Sequence, residues 1–157
     1  MHTALATAFV LPPTSVKRPL VVFRIGVQLF ALEAAQVRAA LRTLDVTPVP
    51  LAHAGIAGIA WHEGKALSVV DLRHWLNLPS RPTAVSPSVL IIHHDNEPVA
   101  LLVDKIEDVL SLTSNDFAPA PVTMDPAWRQ VTASVTEQAG GLIAVLDVAG
   151  IFRTIAQ

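Results

Sequence analysis

The sequence predicts an all-β fold on three observations. Apolar residues fall in short runs of four to seven, rich in Val, Ile and Leu and too short for typical buried helices. Turn-forming Gly, Pro, Asn and Asp separate these runs. The second half of the chain also echoes the strand plan of the first.

The elements follow in order. Pro12, Pro13 and Pro19 bracket Thr14 to Arg18, so ordered structure is expected from Leu20, with residues 1–19 as a disordered leader. Met1 to Val10 is apolar but has no basic residue ahead of it, which argues against a signal peptide. The β-branched run Leu20 to Ile25, then Gly26 and Leu29 to Leu32, reads as a hairpin. Ala34 and Ala35 favour a short helical turn over Glu33 to Gln36. Ala66–Val70, Val89–Ile92, Val99–Val103 and Leu142–Leu146 are strand candidates. Asp71 before Leu72 to Leu76, and Asp147 before Val148 to Phe152, stand where an N-cap accepts the first free backbone N–H groups of a helical turn. Asp104 is a third such candidate, although Lys105 to Leu112 returns to a strand-like pattern.

The internal echo has a spacing of about 70 residues. Val22–Leu32 matches Leu90–Leu102, and Val37–Leu41 matches Ile106–Leu110. Pro48-Val49-Pro50 matches Pro119-Ala120-Pro121, and Leu67–Leu72 matches Ile143–Val148. Two units of one plan imply paired β subdomains with a shared core. Short strands with frequent turns favour barrel-like closure, which removes exposed sheet edges.

Composition narrows the function. The 157 residues carry a formal net charge of −2, with 52% hydrophobic and 15% charged residues. That suits one compact domain burying roughly 70% of its unfolded surface, with apolar surface to spare for a partner. Without cysteine there is no disulfide and no thiolate nucleophile or ligand, and a reducing cytoplasm suits such a chain. Basic residues form no run beyond Lys17-Arg18, so no phosphate-binding footprint for nucleic acid is present. No apolar stretch approaches the ~18 residues of a membrane-spanning helix, and no membrane insertion is expected.

Reactive chemistry finds little support. His93-His94-Asp95 is the densest cluster of possible ligands, and a small metal-dependent hydrolase would have to use it. Adjacent strand residues point to opposite faces, and catalytic zinc takes about three protein ligands. Asp95-Asn96-Glu97-Pro98 reads more simply as a hairpin tip. No Gly-x-Ser-x-Gly elbow or Gly-rich phosphate loop exists, and Gly140-Gly141 is a turn pair. His62-Glu63 ahead of Gly64 could pair as acid and base, but a polar hairpin turn is the simpler role. No catalytic residue, metal or cofactor is therefore expected. A ligand-sensing barrel is a further class, and it would need a sizeable internal cavity. Trp75, beside Leu72 and Leu76, should pack onto the sheet. Trp61 suits either the core, which is the default, or an interface anchor.

An ordered series of segments runs through Val21–Gly26 with Phe30–Leu32, Gln36-Val37-Arg38, Val46–Pro50, and Gly58–Gly64 into Leu67–Arg73. Leu101–Asp104, Asp108–Leu112 and Pro119–Pro121 follow. Over residues 20–157 this series resembles the CheW-like family. It implies two intertwined five-stranded β-barrel-like subdomains with short helical turns. It also implies a non-enzymatic adaptor in the cytoplasm, at receptor arrays on the inner face of the membrane. Such an adaptor couples the cytoplasmic tip of a methyl-accepting chemoreceptor to a CheA-type histidine kinase. A surface-sensing or twitching-motility scaffold is the alternative within the family. The resemblance assigns Val37 and Gly58 to kinase binding and Glu63 to receptor binding, and Val37→Asp should then abolish kinase binding with the fold intact. The chain departs from the family where Trp61, His62 and Glu63 replace the usual Asn, Leu and Arg. Glutamate cannot make the bidentate grip on a carboxylate that arginine makes.

Overall fold

The structure, a computed structural model, describes residues 16–50, 55–138 and 141–155. Most of the expected leader, and Gly140 of the turn pair, lie outside the described residues. The strands are β1 (Arg18–Ile25), β2 (Gln28–Glu33), β3 (Val37–Leu41), β4 (Ile56–His62), β5 (Lys65–Asp71), β6 (Ser88–His94), β7 (Glu97–Val103), β8 (Lys105–Leu112), β9 (Phe117–Ala118), β10 (Thr132–Gln138) and β11 (Gly141–Leu146). Among the described residues three short helices, α1 (Leu72–Trp75), α2 (Pro126–Arg129) and α3 (Val148–Ile155), interrupt them. A 3₁₀ turn, Ala34–Gln36, stands where the alanine pair predicts one, and a second, Ser114–Asp116, follows β8.

Tight turns set the hairpin registers. Ile25 pairs with Gln28 across Gly26, whose φ of 63° gives the mirror-image turn that matches strand twist. His62 pairs with Lys65 and His94 with Glu97, each across two residues of positive φ. Asp95 and Asn96 supply those angles at the second tip, as the polar-tip reading predicts. Asp71 caps α1, its carboxylate accepting from the Arg73 N–H at 3.1 Å. Asp147 accepts the Ile151 N–H at 2.9 Å through its backbone carbonyl as α3 begins.

The hydrogen-bonded orders are β8-β1-β2-β11-β10-β9 and β3-β6-β7-β5-β4. The hairpin β1–β2, from the first half, is flanked by β8 and β11 from the second. The hairpin β6–β7, from the second half, is flanked by β3 and β5 from the first. The internal echo thus becomes an exchange of strands, and neither half can fold alone without losing ladder partners. The resemblance implies two five-stranded barrels. Instead one sheet has six strands, and neither ladder closes into a ring among the described residues. In the five-stranded sheet, side chains and one bridge do the closing. Thr47 and Ile59 exchange two backbone hydrogen bonds of 2.8 Å, and Ala39, Leu41 and Ala57 from the two edges pack on one cluster.

Three apolar clusters hold the body together. One fills the inside of each sheet, around Leu20, Ala31 and Val145 in the first and Val69, Ile91 and Ala100 in the second. The largest joins the sheets and contains Phe23, Phe30, Val70, Leu90, Leu101 and Ile151. Trp75 and Trp128 pack against this joint, and the Trp128 indole donates to the Leu76 carbonyl at 2.8 Å.

Candidate docking site

Asp104 stands where β7 leaves one sheet and β8 enters the other. Its carboxylate accepts from the Gly26 N–H at 2.6 Å, Arg73 Nη2 at 2.5 Å and Arg81 Nε at 2.8 Å. The Arg73 and Arg81 side chains are 9% exposed, and both also tie down the surroundings of α1: Arg73 donates to Pro79 O in the loop after the helix at 2.7 Å, and Arg81 reaches the capping Asp71 at 3.3 Å. Burial alone would raise the Asp104 pKa, but hydrogen bonds from Arg73, Gly26 and Arg81 outweigh it and lower the carboxyl to about 2. A tip of one sheet, the crossover strand and the helix after β5 are therefore pinned to a single carboxylate. The two sheets present their outer faces in one fixed relation.

An exposed apolar face lies on β4. Ala60 points inward at 1% exposure, while Ile59 and Trp61 point outward at 39% and 70%. Small residues face the core and large ones face solvent, the reverse of the usual strand. The edge of β4 carries no charge and no proline over Ile56–His62, the devices that ordinarily blunt an edge. Val49 adds exposed apolar surface on the segment that Thr47 ties to β4.

The family-implied residues fall at three kinds of position. Glu63 sits at the exposed β4–β5 tip, its backbone at φ 50° and its carboxylate 3.6 Å from His62 Nε2. Gly58 is buried, and a Cβ there would lie 2.3 Å from the Thr47 carbonyl oxygen. It holds the Thr47 segment against β4 and presents no side chain of its own. Val37 is half-buried at the start of β3 and packs against the joint between the sheets. A carboxylate at Val37 would enter that joint, so Val37→Asp perturbs the core as well as any surface, against the expectation of an intact fold. Val37 and Gly58 lie on opposite edges of the sheet. The curl of the sheet nevertheless brings Arg38, next to Val37, to one cavity with His62 and Glu63.

The candidates for reactive chemistry are held in other roles. His94 packs its ring 5.4 Å from that of Phe152, with Asp95 at 3.4 Å. Among the described residues no three His, Asp or Glu side chains stand close enough to share a metal ion. The inside of each sheet is filled by side chains such as Leu20 in the first and Val69 and Ala100 in the second, all 0% exposed. No helix is long and apolar enough to cross a membrane among those residues.

A two-sheet β body whose distinguishing features are pinned outer faces, with a solvent-facing Trp on a strand whose edge carries no charge, is built for docking. Its family can be stated: the chain belongs to the CheW-like family, whose CheW-like domain model matches residues 19–156. Among relatives, it is 27% identical over 135 residues to the chemotaxis protein CheW of Rhizobium meliloti, covering 86% of this chain and 87% of that one. It is 24% identical over 128 residues to the chemotaxis protein CheW of Bacillus subtilis, covering 82% of each. The fold superposes on the crystal structure of the scaffolding protein TtCheW of Thermoanaerobacter tengcongensis with a TM-score of 0.76 at 21% identity, covering 85% of this chain and 90% of that one.

Proposed function

We propose that the protein is a non-enzymatic chemotaxis adaptor that holds a CheA-type histidine kinase and the cytoplasmic tip of a methyl-accepting chemoreceptor in one geometry, in the cytoplasm beneath the receptor membrane. The outward pair Ile59 and Trp61 on the β4 edge carries this reading. A large aromatic left in water beside an uncharged edge is the usual anchor of an interface. In this assignment the kinase covers the β4 face, whose backbone Gly58 shapes and whose opposite edge begins at Val37. The receptor tip meets Glu63. Coupling is mechanical: a receptor-induced shift biases the kinase between states through a rigid connector, as a coupling free energy between two sites.

Because the family's arginine is replaced by Glu63, the cognate receptor tip should present a neutral or basic group there. The test is calorimetric binding of the Glu63→Arg variant to the kinase and to the receptor tip encoded beside this chain. Kinase affinity should be unchanged and receptor affinity should fall about tenfold or more. Loss of kinase binding with receptor binding intact would reverse the assignment.

A further inference from the structure

We propose that the mouth of the five-stranded sheet is a binding site for a small oxyanion, a phosphate or a carboxylate, held by Arg38, His62 and Lys65. These side chains line a cavity of about 140 Å³ with a floor of Leu67, Ile91 and Pro98. A cavity of about 150 Å³ accommodates benzene, so an ion of four or five heavy atoms fits. His62 points inward from β4, and its Nε2 is buried with no hydrogen-bond partner. A buried ring nitrogen without a partner is costly, and an incoming oxygen would satisfy it. Among the described residues neither Arg38 nor Lys65 is ion-paired, so both cations are available to a ligand.

The charge of this mouth is not a consequence of the fold. The strand exchange builds an equivalent mouth on the other sheet, with Glu107 in the place of Arg38. Each is the residue its ladder skips: Glu107 lies between Ile106 beside Phe23 and Asp108 beside Val22, and Arg38 lies between Val37 beside Ile92 and Ala39 beside Ile91. Gln138 stands for His62 and Gly141 for Lys65, each pair closing its hairpin. That second cavity is lined by Glu107 and Asp108, and its one cation, Arg24, is 3.0 Å from Glu107. One backbone frame thus carries an acidic lining at one end and a basic lining at the other.

Glu63 adds a carboxylate to the lining of this mouth. Its carboxylate lies 3.6 Å from His62 Nε2 yet its side chain is 77% exposed, so it occupies the approach and is free to swing into solvent. An arriving oxyanion displaces it. This site is independent of the receptor assignment, since the ligand contacts Arg38, His62 and Lys65 whatever Glu63 meets outside.

The test is a titration of the full chain, its histidine rings and glutamine side-chain amides isotope-labelled, with inorganic phosphate in one arm and blocked glutamate in the other, at ionic strength held constant with sodium chloride. The His62 ring resonances should shift saturably while the Gln138 side-chain amide stays still. Arg38→Ala or Lys65→Ala should weaken binding about tenfold, and Glu63→Gln should tighten it, because a competing carboxylate is gone. Tighter binding of phosphate identifies a free oxyanion as the ligand, and tighter binding of glutamate identifies a carboxylate of a partner chain. Both arm substitutions fall on exposed residues, so folding is retained. No saturable shift in either arm, or shifts unaffected by both Arg38→Ala and Lys65→Ala, would overturn the site.

Discussion

Replacing Asp104 by Asn tests whether one carboxylate holds the two sheets in register. The substitution keeps shape and one acceptor but removes the charge that faces Arg73 and Arg81, both 9% exposed. Holding the carboxyl at about 2 instead of its ordinary 3.8 corresponds to at most about 2.5 kcal/mol in favour of the ionised form, reduced by solvent screening of this half-buried group. Two guanidinium groups then lose their common anion. Breaking a buried ion pair at one partner costs about 3–5 kcal/mol, and the remaining bonds of Arg81 to Asp71 and Arg73 to Pro79 put this case at the lower end. Urea denaturation of Asp104→Asn should show a loss of about 3 kcal/mol. The Gly26 amide, whose 2.6 Å bond is to this carboxylate, should exchange with solvent faster than its neighbours in β1. A loss below about 1 kcal/mol, the level of an ordinary solvent-exposed pair, with Gly26 exchange unchanged, would refute the pinning role.

Further predictions follow from the same contacts. Since folding depresses the Asp104 pKa, its contribution is complete above pH 3.8 and is lost as the pH falls towards 2; acid titration of wild type should show that loss and Asp104→Asn should lack it. Gly58→Ala should destabilise by about 2–3 kcal/mol, because its Cβ must displace the Thr47 carbonyl and with it the two bonds to Ile59, a result visible as a lowered thermal midpoint. Trp61→Ala should change stability by no more than about 0.5 kcal/mol, since the ring is 70% exposed. The same variant should weaken kinase binding by about 2 kcal/mol in calorimetry.

Local chemistry made much of this fold legible. The hairpins announce themselves through Gly26, Glu63-Gly64 and Asp95-Asn96, and Asp71 caps α1 as its position predicts. Asp125-Pro126 carries an equally readable signal for α2, a capping carboxylate followed by Pro at the first helical position. The internal echo was readable too, but its consequence was not. Which strand pairs with which depends on contacts far apart in sequence, so the exchange of β3 and β8 between halves leaves no local mark. Asp104 reads in sequence as one more helix cap because its partners come from a distant turn tip, from α1 and from the proline-rich loop after it. Trp61 was readable in principle. Leu67 and Val69 fix the inner face of β5, and the hairpin register then puts Ala60 inside and Trp61 outside. Hydrophobicity alone argued the other way. Gly58 and Val37 carry no exposed group that a sequence could have distinguished from packing residues.

The most direct test of the adaptor reading reconstitutes the neighbouring kinase and receptor in membranes and measures kinase autophosphorylation with and without this chain. Receptor stimulus should alter the rate only when the chain is present, and Trp61→Ala should abolish that response while leaving basal autophosphorylation unchanged. A stimulus response that persists without the chain, or that survives with Trp61→Ala at wild-type strength, would contradict it.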